Sequence, residues 1–181
     1  MRLFHVSEEP DITIFMPRLP KRQDLDPNTG LIWAIDEERL PNFLTPRDCP
    51  RVTYHIGSQT TDLDKKRFFS SSGISHAIVL ESKWFHIIQD TTLYLYEFNT
   101  KDFVLQDSIA GYYVTTQTQH PIKKHIITDL IGELMKRNVE IRFIDSLCEI
   151  ADEVKSSSLN WSLCRMGNAT QHSEPNTKTH I

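Results

Sequence analysis

The segment MRLFHVSEEPDITIF, residues 1–15, decides how the rest of the chain is read. Leu3, Phe4 and Val6 are apolar and strand-forming, and the run stops at Ser7-Glu8-Glu9-Pro10. That pattern predicts a first strand over RLFHVS and a second over ITIF, with a turn between them. The first strand carries an imidazole. His5 is either a core residue whose ring is satisfied by a backbone carbonyl, or a polar group at the floor of a cleft. Ser7 shares its face at a period of two, so the strand offers two hydrogen-bonding side chains together.

Working outward, proline dominates the first third. Seven of the nine prolines lie within residues 1–50 (Pro10, Pro17, Pro20, Pro27, Pro41, Pro46 and Pro50), so this region must be built from short strands joined by fixed turns. PRLPKRQDLDPNTG reads as a mobile polar connector. LIWAI reads as a buried strand closed by Asp36, which is placed to cap a short helix over EERLPNFL, irregular at Pro41. RVTYHI is a further strand and DLDKKRFF a helix ended by SSSG. Beyond residue 75, HAIVLE is a strand or the first turns of a helix, and SKWFHIIQD a helix capped by Ser82. TLYLYEF is a strand, and one or two strands flank Gly111. TDLIGELMKRN is a helix with Thr128 as candidate cap, VEIRFI a strand, SLCEIADEVKSSS a helix and LNWSLCRM a last strand. Strands and helices mix without regular alternation. The expected class is α+β, with mostly antiparallel sheets and a few short helices. One globular domain is expected over residues 1–166, with a polar, disordered tail over 167–181.

Composition excludes several classes. Of 181 residues, 24 are acidic and 20 are Lys or Arg, for a net charge of −4; no basic excess points to nucleic acid. Tyr94 and Tyr96 lack the interleaved basic residues of a base-stacking platform. No stretch reaches the roughly 20 apolar residues of a membrane span. Three widely spaced cysteines (Cys49, Cys148 and Cys164) fit a reducing compartment, and with no secretory leader in view the expected location is the cytoplasm. The eight histidines form no His-x-x-x-His pair, and the spacing of His120 and His125 is not that of a metal site, so no metal is expected. A Gly-x-Ser-x-Gly elbow and a glycine-rich phosphate loop are absent. Paired carboxylates cannot be picked out, because that pairing is spatial.

Two further groups carry chemistry. In FLTPRDCPRVTYH, Arg47 and Arg51 sit in a proline-stiffened segment and are able to clamp a phosphate or carboxylate; alternatively Arg47 pairs with Asp48 or Asp36 and pins a turn. Cys49 is a buried thiol or, with an activating partner, a nucleophile. Trp84 and Phe85, if they face solvent, make a homodimer surface.

The stretches LFHVSEEPDITIF, LIWAIDEERLPNFLTPRDCPRV, LYLYEF, GYYV and LNWSLCRM together resemble a family of uncharacterised bacterial proteins known from bacilli, over residues 1–169. The chain also resembles, at the level of the fold, ADP-ribosyltransferase-like proteins of the rifamycin-modifying and RNA 2′-phosphotransferase types. LFHVS places His5 at the histidine of their first strand, LIWAI puts Trp33 near a stacking tyrosine, and LYLYEFNTKDF matches their later strand. This resemblance implies a transferase acting on NAD or a nucleotide-like substrate, with His5 as the catalytic residue on ribose, Ser7 and Trp33 lining the cleft, and Arg47 or Arg51 on phosphate. Val6 stands where those proteins have glycine, and Gln117 or Gln119 occupies the region of their late acid. The alternative is a small-molecule or protein-binding module of the same fold that has no turnover.

Overall fold

The computed structural model describes residues 1–20 and 25–171. Ten strands form two sheets. The larger has the order β6 (Val104–Asp107), β7 (Tyr112–Thr115), β2 (Ile32–Asp36), β1 (Leu3–Ser7), β5 (Leu93–Phe98), β8 (Lys123–Ile127). The smaller has the order β10 (Asn160–Cys164), β3 (Arg51–His55), β4 (His76–Glu81), β9 (Glu140–Ile144). Among the described residues only the β4–β9 pairing is parallel. Four short helices complete the fold: α1 (Asp62–Phe68), α2 (Phe85–Asp90), α3 (Leu130–Lys136) and α4 (Cys148–Lys155). The architecture is α+β with mostly antiparallel sheets.

Strand alternation builds the layers. In β4, Ile78 and Leu80 face a central core shared with Phe4, Leu95, α2 and α3, while Ala77 and Val79 face the core beneath α1 and α4. In the large sheet, Phe4 and Ile35 join the central core. Leu3, Ile32, Ala34, Tyr96 and Phe98 face the other way, under the segment that carries Phe15. That segment is held by Tyr96, whose hydroxyl donates to the Glu9 carbonyl at 2.6 Å and accepts from the Ile12 N–H at 3.1 Å.

Several local expectations change. ITIF is not a strand but an isolated bridge of Phe15 with Gln119: the stretch between Pro10 and Pro17 is short, and its Ile12 N–H is taken by the Tyr96 hydroxyl. EERLPNFL contracts to a 3-10 turn, Leu40–Phe43, with Pro41 in its first positions; Asp36 does not cap it, and its Oδ1 instead accepts the Arg39 N–H at 2.7 Å in the turn before it. HAIVLE is a strand, buried along its whole length. Ser82 does not cap a helix: its hydroxyl donates to the Ile144 carbonyl. Asp129, not Thr128, caps α3, accepting the Gly132 N–H at 2.8 Å. Three strands, β6, β7 and β8, lie in the stretch around and after Gly111. Trp84 and Phe85 are half-buried: Trp84 packs on the central core and Phe85 meets Phe143 edge-on at 5.2 Å, so they do not form a solvent-facing pair.

Residues 21–24 of the expected mobile connector and 172–181 of the expected tail lie outside the described residues. Ordered structure continues past residue 166. Met166–Asn168 form a 3-10 turn, Ala169 is buried, and the Thr170 N–H donates to Glu81 Oε1 at 2.6 Å. No helix among the described residues is long and apolar enough to cross a membrane.

Candidate functional site

The cleft begins where β1 and β2 part. Their register pairs Leu3 with Asp36 and Phe4 with Ile35, and goes no further. Beyond that point the Trp33 carbonyl has no ladder donor from β1. His5 supplies one: its Nδ1 lies 3.1 Å from that oxygen. A carbonyl only accepts, so Nδ1 carries the proton and a neutral ring keeps its Nε2 lone pair. Burial holds the His5 pKa below the ordinary value despite that bond, and the nearby guanidiniums of Arg47 and Arg18 push in the same direction. The ring is therefore neutral at pH 7, leaning on Phe15 at 4.9 Å. Nε2 has no hydrogen-bond partner among the described residues, and His5 lines the cleft.

Two adjoining chambers share His5, Ser7, Arg18, Trp33 and Arg47. The first, about 450 Å³, is largely apolar, with Ile12, Ile14, Phe15, Leu19 and Leu31 on its walls and Glu9 at its edge. The second, about 840 Å³, is cationic, with Arg51, Arg165, Thr45, Cys164 and Tyr112. Trp33 meets Tyr112 edge-on at 5.3 Å, which fixes the indole between the chambers.

The sequence-predicted residues do converge here, in different conditions. Ser7 is buried and its hydroxyl accepts the Glu9 N–H at 3.0 Å, closing its own turn. The Arg47 backbone N–H donates to Glu8 Oε1 at 2.7 Å, and its guanidinium pairs with no carboxylate among the described residues. Arg51 is turned inward: only 5% exposed, it donates to the Asn42 and Cys49 carbonyls at 2.6 and 3.0 Å and stacks over Phe43. Its charge reaches the chamber, and two of its five N–H donors are engaged by the turn before β3. Cys49 is fully buried and burial pushes its thiol up to about 12, so it is no nucleophile at neutral pH. Gln119 is buried with its amide toward the Gln117 carbonyl and does not line either chamber, so the late position implied by the resemblance is not part of this cleft.

Sequence reading missed Arg18, Thr45 and Arg165. Arg18 lies in the polar connector, Thr45 in the proline-bounded turn and Arg165 in the last strand, and only the tertiary path brings them together. Arg165 falls inside the expected strand LNWSLCRM, but β10 ends at Cys164 and Arg165 turns with φ of 55°. Among the described residues no group of three or more His, Cys, Asp or Glu is placed to hold a metal ion.

A family model described as a family of unknown function, DUF6886, matches residues 4–169. The chain belongs to this family. No curated protein and no solved structure matches. The DUF6886 match spans β1 to the Met166–Asn168 turn, and so includes every described wall of the cleft.

Proposed function

We propose that this DUF6886 protein binds a nucleotide-like small molecule in the cleft, with NAD or ADP-ribose as the ligands to try first. One observation carries the reading: a neutral imidazole, with an acceptor nitrogen and no partner for it among the described residues, sits between an indole and the Arg18 and Arg47 guanidiniums. An imidazole acceptor suits a ribose hydroxyl, an indole suits a planar ring, and guanidiniums suit phosphate. The ADP-ribosyltransferase-like resemblance assigns the same parts to His5 and Trp33. Chamber volumes of about 450 and 840 Å³ fall in the range of small-molecule sites.

A second reading, transfer of ADP-ribose, is favoured by Glu9 on the wall of the first chamber. In that reading the glycosidic bond breaks, nicotinamide leaves with its electron pair, and an acceptor oxygen forms the new bond as Glu9 takes its proton. Binding without turnover is the better supported of the two, because the carboxylates at the cleft come from the turn after β1 and not from a late strand.

The test is a thermal-shift titration with NAD, ADP-ribose and AMP, repeated on His5→Ala. A ligand at 100 times its dissociation constant adds about 2.7 kcal/mol. For a chain of this size that is a rise of roughly 5–10 °C. The expected result is stabilisation that His5→Ala abolishes. No shift with any nucleotide, together with a large loss of stability in His5→Ala, makes His5 a core residue and ends the proposal.

A further inference from the structure

We propose that the second chamber holds a phosphoryl subsite built by Arg47, Arg165 and Thr45, and that it makes the cleft select ligands that carry a phosphate or diphosphate. The inference rests on the nucleotide reading above, and deepens it by moving the anion away from Arg51 to residues that neither the sequence nor the resemblance assigned together.

Charge is the first argument. Four guanidiniums line this chamber, from Arg18, Arg47, Arg51 and Arg165, against one carboxylate, Glu8. Glu8 is already bonded to the Arg47 backbone. Arg165 Nε donates to the Arg47 carbonyl at 3.1 Å, which ties the two arginines to one place although their charges repel. The nearest carboxylate to Arg165, Asp48, is 4.0 Å away and well exposed, a contact worth little in water. A ligand anion relieves this repulsion.

The second argument is independent of charge. Thr45 lines the chamber and is 3% exposed, yet its Oγ1 has no hydrogen-bond partner. Among the described residues Trp84 Nε1 is in the same condition, whereas Glu81 Oε2 is paired with Lys83; Thr45 is the one that belongs to this cleft. A buried hydroxyl without a partner is costly, and native folds rarely keep one without a use. A ligand oxygen arriving from the chamber satisfies it after a rotation about χ1.

The third argument is backbone cost. Arg165 sits at φ of 55°, in the left-handed region that side chains other than glycine and asparagine avoid. The fold holds an arginine there, at the chamber wall, where glycine is the easier choice.

Geometry separates phosphate from carboxylate. Thr45 and Arg47 come from the one turn between the 3-10 helix and β3, and Arg165 comes from the residue after β10, so two segments supply three donor side chains to the chamber. A tetrahedral oxyanion has an oxygen for each, whereas a carboxylate presents two in one plane.

Isothermal titration of the full chain with inorganic pyrophosphate, succinate, adenosine and ADP-ribose tests this, on the native protein, Arg165→Asn and Thr45→Val. Asparagine tolerates the positive φ, and valine replaces the unpartnered hydroxyl by a methyl, so both variants are expected to fold. The expected result is that pyrophosphate binds, that Arg165→Asn weakens it on the order of tenfold and Thr45→Val several-fold, and that adenosine binding is unchanged in both. Pyrophosphate binding that is equal in all three proteins, or matched by succinate, overturns the subsite. Where adenosine binds, so does ADP-ribose that binds no tighter than adenosine; the nucleotide reading then survives if His5→Ala still removes adenosine binding. If pyrophosphate binds in an Arg165-dependent way while adenosine and ADP-ribose fail, the subsite stands and the nucleotide reading falls.

Discussion

Acid stability is governed by two histidines away from the cleft. His55 on β3 and His76 on β4 are register partners, their rings 5.7 Å apart, and they are 4% and 8% exposed. His76 Nε2 donates to Asn42 Oδ1 at 2.7 Å, and His55 Nε2 accepts from Asn160 Nδ2 at 3.3 Å. Glu37, Glu38, Arg39 and Arg137 face them across a cavity of about 310 Å³. Burial pushes His55 down to about 4 and His76 down to about 3; Arg39 adds to both, His55 adds to His76, and Glu38 opposes the shift of His76. In the unfolded chain both rings protonate near 6.5, so between pH 6.5 and 4 that state binds more protons and stability falls as pH falls. At pH 4.5 each ring has removed about 2.5 kcal/mol, and the pair about 5 kcal/mol, comparable with the whole stability of a typical domain. Burial lowers His5 as well, which adds to the same slope. Urea unfolding at half-unit steps from pH 7.5 to 4.5 reads this directly. Near pH 5 the slope should correspond to about two protons from the pair. His76→Gln, whose amide is still able to donate to Asn42, should lower the slope by about one proton. A slope that is the same in His76→Gln and the native protein, or a flat profile between pH 6.5 and 5, refutes the assignment.

Three other outcomes follow from the same structure. In a thiol titration of the native protein, Cys148 and Cys164, both partly exposed, should react while Cys49 waits for denaturant; a third fast thiol means that Cys49 is not buried. Gly111→Ala should cost more than about 2 kcal/mol in urea unfolding: Gly111 has φ of 67°, and a Cβ there meets the Arg39 side chain at 2.6 Å and Asp36 Oδ1 at 2.8 Å. A neutral result excludes that turn geometry. Tyr54→Phe should cost only about 1 kcal/mol, because the Phe68 carbonyl that loses the Tyr54 hydroxyl keeps a donor in Arg142; a loss above about 3 kcal/mol means that the arginine does not hold it.

The strands of this protein are legible one by one, because each carries its own pattern. LFHVS, RVTYH and LYLYEF show strand-forming residues in short bounded runs, and that property is local. The prolines likewise announced a first third of turns, although ITIF shows that a good strand composition yields to proline spacing. HAIVLE stayed ambiguous because a fully buried strand and a buried helix share one apolar run. Ser82 and Thr128 were plausible caps whose neighbours, Ile144 and Asp129, decided the matter.

The candidate site divides in the same way. Residues 1–52 supplied His5, Ser7, Trp33, Arg47 and Arg51 as residue types suited to a nucleotide, and all five reach one cleft. Whether each is usable is set by partners far along the chain. The Trp33 carbonyl, beyond the point where β1 and β2 part, fixes the proton of His5. Carbonyls of Asn42 and Cys49 turn Arg51 inward and take two of its donors for the fold. Arg165, more than a hundred residues beyond Arg47, joins it only because β10 pairs with β3. The sequence alone determined the class of fold and the kinds of group available to a site. The tertiary structure alone decided which of those groups remain free to bind, because a hydrogen bond or a charge is consumed by whatever lies nearest in space.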